Sequence, residues 1–202
     1  MRASGRWARR PSRSEATKTM IGGGAQVAIN RAAELAGVAL DPITQAQVLA
    51  RFYETYATAS AEGRGLYPGA TELLGSLRDT GIAMAICTNK AQHIAEIAVR
   101  ALGIADFFRI IVGARDGQPK KPDRAPIMAA LTGLNQGPDY AIMVGDSAAD
   151  IGAAKAAGIP SIAVAHGYAK GPVSELGADL HVADLTGVAP AIATLAERWR
   201  GA

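Results

Sequence analysis

Three polar clusters in this chain carry residue types that could act on a phosphate. Thr88-Asn89-Lys90 follows the apolar run Ile82-Ala83-Met84-Ala85-Ile86, and Gly145-Asp146-Ser147-Ala148-Ala149-Asp150 follows Ala141-Ile142-Met143-Val144. Lys120-Lys121-Pro122-Asp123 lies between them. A hydroxyl at a strand end, beside the free backbone N–H groups and positive dipole end of a following helix, makes a seat for an anion such as phosphate. Asp146 at a strand tip and Asp150 one helical turn further can face one crevice, and paired carboxylates there suit a hard cation such as Mg²⁺. Gly145 keeps the approach clear. A lysine delivered to the same crevice would neutralise a phosphate and pair with Asp150. Each cluster also has a plainer reading: Thr88 as a helix cap, Asp146 as a cap with Asp150 a favourable first-turn acid, and the lysines as solvated loop charges.

Other candidates carry less. Gly22-Gly23-Gly24 lacks a preceding apolar strand and the G-x-G-x-x-G spacing, which makes it a flexible helix entry rather than a phosphate loop. His93, His166 and His181 show no metal-ligand spacing. Cys87 belongs to an apolar run and reads as core.

The elements that must position these clusters alternate. Helices are expected over 70–80, 91–102, 125–134, 148–157 and 188–199, and strands over 82–87, 108–112, 141–144, 161–165 and 180–182. Continuous apolar strands are what a parallel sheet covered by helices on both faces requires, so the expected core is a doubly wound (Rossmann-like) α/β sheet. Ligands bind such sheets outside the carboxyl ends of the strands, where the polar clusters fall. Residues 26–62 show helical spacing in two segments, Val27 to Ala36 and Val48 to Tyr56, parted by Asp41-Pro42, with Asp41 placed to cap the second. The resulting division is a basic start over 1–20, a small helical domain over 21–66 and the α/β core over 67–202.

Composition excludes several classes. The 202 residues are 49% hydrophobic and 19% charged, which describes a globular chain rather than a disordered one. The longest stretches without a charge run 14 residues, Ala125–Pro138 and Ala156–Ala169, and each holds a proline, so no membrane span is expected. The formal charge of +3 is concentrated in residues 1–20, which carry six Lys/Arg against Glu15; the rest of the chain is net −2, and with 5% aromatics it offers no nucleic-acid face. The basic start has the composition of a transit peptide, or reads as a disordered or mis-assigned beginning. One cysteine excludes an internal disulfide and suits a reducing, cytoplasmic setting.

Taken together the fragments resemble the haloacid dehalogenase superfamily, in particular its phosphoglycolate phosphatase group. The matching blocks are Leu66-Tyr67-Pro68-Gly69-Ala70, Ile86-Cys87-Thr88-Asn89-Lys90, Lys121-Pro122-Asp123 with Pro126, and Val144-Gly145-Asp146-Ser147-Ala148-Ala149-Asp150-Ile151 continuing to Gly158, in the family's order. Met20 to Ala25 is similar to the group's helical cap, so the resemblance runs from about Pro11 to Ala202. It implies Mg²⁺-dependent hydrolysis of a small phosphorylated acid, above all 2-phosphoglycolate, through an aspartyl-phosphate; a sugar phosphate is the alternative substrate. By position, Thr88 and Asn89 would hold the phosphoryl group and Lys121 would stabilise its charge. Asp146 would serve the magnesium, and Asp150 would orient Lys121 or support the metal. Oligomeric state is not implied.

Ala91, Arg124 and Ala149 stand where the family often has Pro, Pro and Thr. One departure is larger. The family opens with a strand ending in Asp-x-Asp-Gly-Thr, whose first Asp is the nucleophile, and none of the ten Asp residues here lies two positions from another. The expectation is a chain that begins inside the cap, with the first core strand missing from between the strands ending at Thr88 and Asp146. The competing expectation is an inactive remnant or interaction module.

Overall fold

The computed structural model describes residues 25–61, 65–165 and 172–200. The basic start, Gly22-Gly23-Gly24, the stretch from Met20 to Gly24 and His166 lie outside the described residues. The chain divides into two compact units, residues 1–52 and 53–202.

The described part of the first unit is helical. Helix α1 (Ala25–Ala36) ends before Gly37, whose φ of 68° is the left-handed conformation that closes helices most readily with glycine. Helix α2 (Pro42–Ala61), whose second half falls in the second unit, starts as the sequence implies. Asp41 Oδ1 accepts from the Ile43 and Thr44 amides at 2.9 and 3.1 Å, and Pro42 takes the first helical position, where a missing N–H costs nothing. Gln45 Nε2 donates to Asn30 Oδ1 and ties the two helices.

The second unit carries the core as α3 (Ala70–Asp79), β1 (Ala85–Ala91), α4 (Gln92–Ala101), β2 (Ile110–Ala114), α5 (Ala125–Leu134), β3 (Met143–Gly145), α6 (Ala148–Ala157), β4 (Ser161–Val164), β5 (Leu180–Val182) and α7 (Val188–Arg200). All strand pairs are parallel, β1 with β2, and β3 with β4 with β5. Helices α5 and α6 match the residues expected for them. Two strands are shifted from expectation by local turns, and a third is displaced along the chain. Phe108 and Ala141 are consumed in closing short 3-10 turns, donating to Ala105 and Pro138, so β2 starts at Ile110 and β3 at Met143. Strand β1 begins only at Ala85, its first residue paired with β2, and runs through Thr88-Asn89-Lys90 instead of stopping before them.

The parallel strands form two sheets, β1-β2 and β3-β4-β5, rather than one. Their facing edges are β1 and β3. Cys87 of β1 and Met143 of β3 pack on one cluster, made by Ile127 and Leu131 of α5, Ala153 and Ala154 of α6, and Ile159. The helical floor is therefore continuous while the sheet above it is interrupted between β1 and β3. Every residue of β4 is buried, no residue of β1 or β2 is, and Val144 of β3 is 37% exposed. On the far side, Ile162 of β4 packs against Ala191 and Leu195 of α7.

Candidate functional site

The site is built where β1, the lysine loop and the start of α6 converge. Between the pairs Cys87↔Val112 and Ala91↔Ala114 the β1–β2 register slips, so that Thr88, Asn89 and Lys90 stand opposite the single residue Gly113. Such a bulge bends the strand and re-aims its side chains. Within it the Lys90 amide donates to Thr88 Oγ1 at 3.1 Å, leaving the threonine's own proton to give to a ligand. Helix α4 is capped by Ala91 without a side-chain bond, so Thr88 is not its cap.

Asn89 reaches across to the lysine loop. Its Nδ2 donates to the Lys121 carbonyl at 2.8 Å, and its Oδ1 accepts from the Lys121 amide at 2.9 Å. This two-point clamp occupies most of the carboxamide. It makes Asn89 a holder of Lys121 ahead of a direct phosphate ligand, and the sequence alone did not reveal that.

Lys121 is 8% exposed, rare for a lysine and tolerable only with partners. Its Nζ donates to Asp150 Oδ1 and to the Cys87 carbonyl, each at 2.5 Å. Two of the three ammonium hydrogens are thus assigned, and one remains for an anion. The solvated-loop reading of this lysine fails.

Asp150 is buried as well, and its second oxygen is filled. Oδ2 accepts from the Asp146 amide at 3.1 Å, the Ser147 amide at 3.0 Å and Ser147 Oγ at 2.6 Å. Ser147, not Asp146, is the N-cap of α6, and Ser147 with Asp150 forms a capping box. The S-x-x-D spacing signals this box in the sequence, yet Ser147 was not among the expected site residues. Burial pushes the Asp150 carboxyl up, but the Lys121 ammonium and the hydrogen bonds from Lys121, Ser147 and the Asp146 amide outweigh it and hold the group below the usual aspartate value. The Cys87 thiol is pushed up, chiefly by burial, which suits its expected place in the core.

Two glycines let the pair form. A Cβ on Gly145 would lie 2.4 Å from Asp150 Cβ, and one on Gly152 would lie 2.8 Å from Pro122 Cβ. The strand tip thus receives the carboxylate, and α6 receives the residue after the lysine.

Of the two carboxylates expected to serve a metal, Asp150 does not fit. Asp146 is half-buried at the tip of β3, whereas both oxygens of Asp150 are committed to protein donors. Among the described residues no group of three or more His, Cys, Asp or Glu side chains gathers around one point. Mg²⁺ is commonly held by one or two carboxylates, waters and a substrate phosphate, so a single Asp146 meets the lower limit. His93 and His181 are exposed.

A cavity of about 330 Å³ adjoins Thr88 and Asn89 and extends along β2 to Arg115, Gln118 and Lys120. Neither Lys121 nor Asp146 lines it. The strand tips, where the buried charges meet, therefore define the chemistry, and the cavity lies beside them.

A parallel α/β core with a threonine, a clamped buried lysine and an acid at its strand tips belongs to the phosphate-handling hydrolases. Residues 10–164 match the model of the haloacid dehalogenase-like hydrolases. The chain is 42% identical over 173 residues to a phosphoglycolate phosphatase of Rhodospirillum rubrum, covering 83% of this chain and 71% of that one. Among solved structures it is similar to a predicted phosphoglycolate phosphatase from Haemophilus somnus, with a TM-score of 0.74, 26% identity and coverage of 86% and 80%. It is also similar to CbbY from Rhodobacter sphaeroides in complex with phosphate, with a TM-score of 0.70, 25% identity and coverage of 87% and 80%. The chain belongs to the haloacid dehalogenase-like hydrolase family, and its class of reaction is phosphoric monoester hydrolysis.

Proposed function

We propose that the site serves hydrolysis of a small phosphorylated acid, with 2-phosphoglycolate as substrate and Mg²⁺ as cofactor. The observation that carries this reading is the buried Lys121, held by Asp150, Cys87 and Asn89 with one ammonium hydrogen unassigned. A cation fixed in advance in a protected site stabilises charge on a transferring phosphoryl group without reorganising at the moment of reaction. Thr88 Oγ would donate to a second phosphate oxygen. Asp150 acts through Lys121, fixing the direction of its ammonium. Mg²⁺, held through Asp146, would neutralise further negative charge on the phosphate. The choice of 2-phosphoglycolate rests on the similarity to the Rhodospirillum rubrum enzyme.

These groups bind and polarise a phosphate but supply no nucleophile, and Asp-x-Asp-Gly-Thr does not occur in the 202 residues. Covalent catalysis needs such a carboxylate to split the hydrolysis into two steps. The test compares Mg²⁺-dependent phosphate release from 2-phosphoglycolate and from a sugar phosphate, using the 202-residue protein and a version carrying an added N-terminal strand that ends in Asp-x-Asp-Gly-Thr. Release by the extended protein alone, faster with 2-phosphoglycolate, is the expected result. Equal release by both would show that the nucleophile lies within the 202 residues, and preference for the sugar phosphate would overturn the substrate.

A further inference from the structure

Gln92, at the first position of α4, is absent from every expectation drawn from the sequence, yet its carboxamide makes three hydrogen bonds. Nε2 donates to the Ile111 carbonyl at 2.9 Å and to Glu96 Oε1 at 2.7 Å, while Oε1 accepts from the Gly113 amide at 2.6 Å. The Ile111 carbonyl and Gly113 amide flank Val112 on one edge of β2. In a parallel ladder one backbone residue of a neighbouring strand satisfies such a pair, donating to the first and accepting from the second. The carboxamide of Gln92 therefore stands in for a peptide group on β2. Both donor hydrogens are used, so the side chain acts through the backbone it holds rather than on a ligand.

The position of this splint matters because of what β2 leads to. Residues 115–120 run from its end to Lys121. At the far end of that loop Asn89 clamps the Lys121 backbone, and at the near end Gln92 holds Gly113. Both side chains come from the single junction between β1 and α4, three residues apart. Gly113 is needed for the contact, since a Cβ there would lie 2.5 Å from Gln92 Cα and 2.9 Å from the Lys90 carbonyl oxygen.

We propose that Gln92 is a positioning residue for the phosphate site: with Asn89 it suspends the lysine loop between two carboxamides and so fixes where Lys121 stands. The functional meaning of that position rests on the proposed role of Lys121, but the linkage itself can be measured without catalysis.

The experiment is amide hydrogen exchange by NMR on the 202-residue protein and its Gln92→Leu and Gln92→Glu variants, normalised to intrinsic rates. Gln92→Leu should speed exchange roughly three- to tenfold at Gly113, the value of one hydrogen bond, and also at Lys121, while β4 amides keep their wild-type rates. Gln92→Glu adds a pH readout: its protonated acid restores one donor and one acceptor, so protection at Lys121 should recover at acid pH and fall as the carboxyl ionises against the Ile111 carbonyl and the neighbouring Glu96 carboxylate. Faster exchange at Gly113 with Lys121 unchanged, or a Gln92→Glu profile that tracks the wild type at every pH, would overturn the proposal. Failure of phosphate release would count against the proposed function alone, because exchange at Lys121 reads the linkage directly.

Discussion

Replacing Lys121 by methionine keeps most of the unbranched side chain and removes its charge. Asp150 then keeps three donors on Oδ2 but loses the ammonium on Oδ1, at a site where the residue is 6% exposed. Breaking a buried pair from one side costs about 3 to 5 kcal/mol, a large share of the roughly 5 to 15 kcal/mol by which a domain is stable. The pH dependence sharpens the test. In the wild type the Asp150 carboxyl is held below its ordinary value, so its contribution is complete above the unfolded value of about 3.9 and is lost only as pH falls further through the folded value. Without Lys121 the effect of burial dominates and raises the group, so the variant takes up a proton and recovers stability as pH falls from 7 towards about 4. Urea midpoints at pH 7, 6, 5 and 4 should show the gap between the two proteins narrowing towards acid. The double variant Lys121→Met/Asp150→Asn should regain much of the loss at pH 7. A difference under about 1 kcal/mol at pH 7, the scale of an exposed ion pair, would refute the burial argument. So would a gap that does not change with pH.

Asp146→Asn should abolish or weaken Mg²⁺ binding in calorimetric titration, and equal affinities would remove Asp146 from the metal site. Gly145→Ala places a methyl group where the Asp150 side chain lies and should cost about 1 to 3 kcal/mol in denaturant midpoint; a crystal structure with the Lys121–Asp150 pair intact would contradict this. In the strand-extended protein, Lys121→Ala should lower phosphate release by two or more orders of magnitude, whereas a loss under threefold would argue against a role in charge stabilisation. The same extension should raise the denaturant midpoint of the core, since it would pair the facing edges of β1 and β3; an unchanged midpoint would show that the interruption is not a strand site.

Much of the fold could be read from residues. Ala125 to Leu134 and Ala148 to Ala157 fall at the expected limits because Asn135 and Gly158, both left-handed, end them sharply. Strand limits were less legible. Phe108 and Ala141 are apolar and look like strand, but the backbone closes a tight turn at each, onto the Ala105 and Pro138 carbonyls, which hydrophobicity alone does not reveal. Thr88 and Asp146 stand out in the sequence as polar residues directly after apolar runs, whereas Lys121 and Asp150 lie in the loop and the helix beyond such runs and stand out by their charge. The hold of Asn89 on the Lys121 backbone was not foreseen, and Gln92 was missed altogether. Both are carboxamides whose partners lie 19 to 32 residues away, on backbone groups that leave no trace in the sequence.

The central claim is that Lys121 and Thr88 form a seat for phosphate, and titration of inorganic phosphate into the 202-residue protein with Mg²⁺ tests it most directly. The protein should bind, and Thr88→Val and Lys121→Met, checked as folded by circular dichroism, should each bind at least about tenfold more weakly, the loss of one charge-assisted contact. Absence of binding by the wild type, or unchanged affinity in both variants, would contradict the account.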